Sequence, residues 1–71
     1  MLADDIEMVR GHVWLGDRHI SQQRDRIAEL ERRALPTDRA YELLDIFESL
    51  QDLHRFHLSR LLQRVERETA P

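Results

Sequence analysis

One repeat constrains this chain more than anything else in it. Leu2, Ile6, Val9, Val13, Gly16, Ile20, Gln23, Ile27, Leu30 and Ala34 succeed one another at alternating spacings of four and three. A helix brings such positions onto one stripe, and a repeat held near 3.5 residues makes the helix wind left-handedly around a neighbour. Ile6, Val13, Ile20, Ile27 and Ala34 take one set of seam positions, and Leu2, Val9, Gly16, Gln23 and Leu30 take the other. Only Gly16 and Gln23 depart from apolar character, so they are expected to have a packing reason: close approach for the glycine, register or an edge-reaching amide for the glutamine.

The ends of this helix agree with the repeat. Asp4, Asp5 and Glu7 place negative charge in the first turns, and Arg32 and Arg33 place positive charge in the last. The segment ALPTDRA then stops it, because Pro36 lacks an N–H and pushes the residue before it out of the α region. Thr37 is a competent N-cap for a second helix, and Pro36 with Tyr41 can form a hydrophobic staple. The pattern predicts one helix over about 3–34, a turn over about 35–37 and a second helix over about 38–68.

The second helix carries Leu43, Ile46, Phe47, Leu50, Leu53, His54, His57, Leu58, Leu61 and Val65, flanked by Leu44 and Leu62. These cover close to half its circumference, more than one partner helix can bury. With so short a connection the two helices must be antiparallel neighbours, each on the order of 45 Å long. The expected fold is therefore all-α: a single domain over 1–71, an antiparallel two-helix hairpin that dimerises into a four-helix bundle to cover the remaining apolar face. A turn centred near Pro36 makes facing residue numbers add to about 73. That register sets Gly16 opposite His57, His19 opposite His54 and Gln23 opposite Leu50.

Composition narrows the function. The chain has 71 residues, no cysteine and a formal charge of −3, which excludes disulfides, zinc-thiolate sites and thiol nucleophiles. All eleven basic residues are arginine and are interleaved with acids such as Asp25, Glu29 and Glu31, so nucleic acid is an unfavoured partner. No apolar stretch is long enough to span a membrane, and acidic residues interrupt any signal-peptide reading of the N-terminus. A cytoplasmic location is expected. Ser21, Ser49 and Ser59 have no base and orienting acid around them and no phosphate loop is present, so the chain is expected not to be an enzyme and to need no cofactor.

Four histidines in 71 residues are where chemistry could reside. In the expected register His19, His54 and His57 share a layer, with His12 two turns away. They are the candidate metal ligands, with Asp17 or Asp52 able to complete a sphere, although the Glu-x-x-His pairs of di-metal bundles are missing. Imidazoles at a seam also titrate in the physiological range, which allows a pH-responsive assembly. The ordinary reading is a polar layer of neutral rings. Trp14 and Phe56 lie off the main seams and are read as core of a second interface.

The run HVWLGDRHISQQRDRIAELERRALPTDRAYELLDIFESLQDLH resembles short uncharacterised helical-hairpin proteins of rhizobia and related alphaproteobacteria. In those, His-Val-x-x-Gly-x-x-His-Ile-x-x-Gln precedes Ile-x-x-Leu, a turn with Thr, then Ala-x-x-Leu-Leu and a later His. The resemblance covers His12 to His54 and implies a helical hairpin with no assigned active residue. The turn departs from the pattern, with proline where the group has glycine at that residue or its neighbour.

These readings converge on a non-catalytic helical module for protein–protein interaction or regulation that self-associates. Its expected interface is Ile6, Val9, Val13, Gly16, Ile20, Ile27, Leu30, Phe47, Leu50, His54, His57 and Leu61. A homodimer is the favoured partnership, with another protein as the second option. The alternatives are an RNA-binding hairpin dimer, which needs a continuous basic face, and a histidine-based bundle responsive to metal or pH.

Overall fold

A computed structural model describes residues 2–69; Met1, Ala70 and Pro71 lie outside the described residues. Two helices, α1 (Leu2–Arg32) and α2 (Asp38–Thr69), run antiparallel as a hairpin with extents of 59 × 16 × 14 Å. No strand occurs among the described residues. The repeat of α1 packs as its spacing requires. Val9, Gln23 and Ile27 are buried, and Leu2, Ile6, Val13, Gly16, Ile20 and Leu30 are half-buried.

In α2 the partner seam is Thr37, Ala40, Leu44, Phe47, Gln51, His54, Leu58, Leu61 and Val65, again at spacings of three and four and all buried or half-buried. Of the broad apolar arc of this helix, one phase is used and the other is left outside. Leu43, Ile46, Leu50, Leu53 and His57 are exposed. Leu44, which flanks the arc, is buried instead.

The end of α1 comes two residues before the expected boundary. Ala34 adopts a positive φ of 54°, the left-handed conformation that terminates many helices. The Ala34 N–H donates to the Glu31 carbonyl at 3.0 Å and the Leu35 N–H to the Leu30 carbonyl at 2.9 Å. Together these are the paired bonds of a Schellman motif, and Pro36 comes next, where it cannot extend the helix. On the other side the Tyr41 N–H donates to the Thr37 carbonyl at 2.9 Å, which makes Thr37 the cap residue of α2.

This turn also resets the register. His12 meets His54, His19 meets Phe47, and Gly16 meets Gln51; facing numbers therefore add to about 66, one heptad less than a turn centred on Pro36 implies. Gln23 bonds to Ala40, yet Gln23 lies about 15 Å of helix before Arg33 at 1.5 Å per residue. The residues from Arg33 to Ala40 return over that length only because those before α2 are not helical and rise at up to ~3.3 Å each. Chain reversal at Ala34 and then an extended climb shift α2 by two turns relative to a symmetric loop.

Candidate functional site

Two glutamines tie the helices together across the apolar seam. Gln51 is 3% exposed and its amide nitrogen donates to the Val13 carbonyl at 2.7 Å and to Asp17 Oδ1 at 2.8 Å. Gln23, 6% exposed, donates from its amide nitrogen to the Ala40 carbonyl at 2.9 Å. A helical carbonyl keeps a second lone pair after its own ladder bond, so each bond adds a cross-helix link without breaking the ladder. Small residues make the approach possible. A Cβ built on Gly16 falls on the Gln51 amide, 2.6 Å from its Cδ, so Gly16 makes room for Gln51 and not for His57.

Both groups that face the Gln51 nitrogen are acceptors, and this orients the amide. Its Oε1 is left buried with no hydrogen-bond partner, pointing along the Cα–H of Gly16, where only a weak C–H···O contact is available. Asp17 Oδ1 also accepts from Arg55 at 2.7 Å. The Gln51 bond first, and then the Arg55 bond, hold the Asp17 carboxyl below its ordinary value of 3.8. A depressed carboxylate contributes stability above that value and gives it up as pH falls through the lower, folded-state value.

The two flanks of the seam differ in chemistry. On one flank Asp17 pairs with Arg55, Arg24 reaches Glu48 at 3.9 Å, and Tyr41 Oη lies 3.4 Å from Glu31. The other flank is apolar and bears imidazoles. His12, Leu15, Gly16, His19, Phe47, Leu50, Gln51 and His54 line a shallow groove of about 240 Å³. The His12 and His54 rings stand 5.4 Å apart at 42°, and His19 lies 5.8 Å from the Phe47 ring. His54 Nδ1 is buried and has no hydrogen-bond partner among the described residues. Met8, Leu43, Ile46 and Leu53 extend this surface on both helices, all exposed.

The expected interface residues fall into two groups. Ile6, Val9, Val13, Gly16, Ile20, Ile27, Leu30, Phe47, His54 and Leu61 lie in the seam between α1 and α2, whereas Leu50 and His57 are exposed on the apolar flank. The layer expected of His19, His54 and His57 does not form: the heptad shift gives His54 to His12 and leaves His57 outside. No group of three metal-binding side chains comes together among the described residues. Asp17 is in the Gln51–Arg55 network, and Asp52 is exposed. Trp14 and Phe56 are exposed, each with an arginine of its own helix over the ring: Arg18 at 5.5 Å and Arg60 at 5.9 Å.

Sequence reasoning misses Gln51. The available signal is its spacing, seven residues after Leu44 and seven before Leu58, which makes it the one amide in an otherwise apolar phase of α2. Among the described residues no helix is long and apolar enough to cross a membrane. No protein family, curated protein or solved structure matches this chain.

Proposed function

We propose that this chain is a non-catalytic helical module that acts by pairing with a second copy of itself, as a homodimeric four-helix bundle in the cytoplasm. The observation that carries this reading is the imbalance between core and surface. Val9, Ile27, Leu44 and Leu61 are the apolar residues that the described hairpin buries, while Met8, Trp14, Leu15, Ile46, Leu50, Leu53 and Phe56 are all at least 44% exposed. A core this thin leaves much of the apolar surface of both helices in water, and a four-helix bundle supplies each helix with a second seam. The second phase of α2, Leu43, Ile46, Leu50, Leu53 and His57, has the three-and-four spacing such a seam needs.

The test is the solution mass of the purified chain near pH 8. A mass of two chains of 8.5 kDa is the expected result. A mass of one chain, unchanged as concentration is raised, would sink the reading and leave the exposed stripe for a different partner.

A further inference from the structure

We infer that the second copy seats on the imidazole-bearing flank of the hairpin, and that acid releases it. This rests on the self-association reading above and adds a surface and a control to it. Met8, Leu15, Ile46, Leu50 and Leu53 lie on that flank and are 44% to 64% exposed. With the rings beside them they form an apolar strip on the order of 600 Å², at the upper limit for a monomer and approaching the ~800 Å² that each partner gives to a stable interface. The opposite flank is less suited to a second copy. Its cross-helix ion pairs, Asp17 with Arg55 and Arg24 with Glu48, already satisfy one another in water.

A two-fold pairing lays the same patch on itself, so it requires a middle without net charge. The middle of this flank is leucine, isoleucine, methionine and imidazole, and its carboxylates and guanidinium groups lie toward the ends. On α1 these are Asp5, Arg26, Glu29 and Arg33, with Glu29 already held by Arg32 and Arg33. On α2 they are Arg39, Arg60, Arg64 and Arg67, with Arg64 3.8 Å from Glu68. The carboxylates of this flank therefore lie far from the rings: Asp5 is one heptad before His12, and Glu29 is ten residues after His19.

Imidazoles gain charge as pH falls from about 7 to 5.5. His12 and His54 stand 5.4 Å apart, so charging both sets like charges against each other in each copy. His19 and His57 add two more, and the second copy brings the same four. With no carboxylate among them, the added charge acts against association, while His19⁺ over Phe47 is the one protonated ring with an attractive neighbour. The hairpin itself outlasts this change, because Asp17 stays ionised to well below pH 5.5 and keeps its bonds to Gln51 and Arg55.

Light scattering with circular dichroism on the full chain, near pH 8 and near pH 5.5, tests the inference. The expected outcome is a twofold fall in mass on acidification with helical signal retained. Two chains at both pH values overturn release by acid; one chain at both overturns self-association itself. For the surface, Leu53→Glu should halve the mass near pH 8, and Trp14→Ser, one turn before Asp17 on the ion-pair side of α1 and 60% exposed, should leave it unchanged; the reverse pattern overturns the choice of face. Because the chain has no native cysteine, thiol labelling gives a second reading that needs no disruptive charge. The thiol of Leu53→Cys should become protected as concentration rises and that of Trp14→Cys should not, and protection confined to Trp14→Cys would again overturn the face.

Discussion

At the scale of single residues, Gly16 and Gln51 act as one unit. A glycine inside a helix costs ~1 kcal/mol relative to alanine, yet alanine at position 16 would place its Cβ against an amide that already donates to Val13 and Asp17. Losing those two bonds costs about 1–3 kcal/mol, more than the helix propensity regained. Gly16→Ala is therefore expected to destabilise the protein by about 1–2 kcal/mol. In a Gln51→Ala background the same change should stabilise it by up to ~1 kcal/mol, since only propensity remains. Urea denaturation of the four proteins checks this, and additive effects would contradict the coupling. The glycine and its need for close approach were legible in the sequence, but the residue approaching it was not, because His57 and Gln51 lie within two turns of each other on the same broad arc of α2.

At the scale of the elements, both helices and their boundaries result from local chemistry, and the turn decides how they meet. Ala34 holds a left-handed conformation, φ 54°, at the position where helices most often carry glycine. An L-residue there pays a penalty of roughly 1–2 kcal/mol, part of which glycine returns as greater freedom in the unfolded chain. Ala34→Gly is expected to raise stability by about 0.5–1 kcal/mol without altering helix content, measurable as a shift in the urea midpoint. A loss of stability would mean that the Schellman bonds from Ala34 and Leu35 are not what ends α1. Pro36 was visible in the sequence as the break, and it marks the turn to within two residues of the strained position. That the strain falls before Pro36, so that the reversal is early and the rest of the loop extended, could not be read from composition.

At the scale of the whole molecule, fold and association draw on the same limited apolar surface. Ile20 lies half-buried in the middle of the seam, next to the Gly16–Gln51 layer. A carboxylate there would sit beside Asp17 and Glu48, whose partners Arg55 and Arg24 are already engaged, a cost of several kcal/mol against a small total. Ile20→Asp is expected to lose helical signal and the mass of the assembly in the same transition, because the pairing face exists only on the folded hairpin. A helical, well-folded Ile20→Asp monomer would show that the seam through Ile20 is not what holds α1 and α2 together.

By themselves the residues determine a good deal: two helices, an antiparallel hairpin, which positions of α1 are inside, and the absence of thiol chemistry. These are fixed because periodicity, caps and proline act over a few residues and leave few alternatives. What only the tertiary structure decided is which phase of α2 meets α1. Two apolar stripes, one through Leu44, Phe47, Leu58 and Leu61 and the other through Leu43, Ile46, Leu50 and Leu53, overlap on that helix, and either satisfies the repeat of α1. The choice is made by the reversal at Ala34 and by Gln23 and Gln51 reaching backbone carbonyls across the seam. A register slip of one heptad leaves every hydrophobic pattern intact while it replaces every polar partner. His54 thereby pairs with His12, and the second stripe is left facing outward.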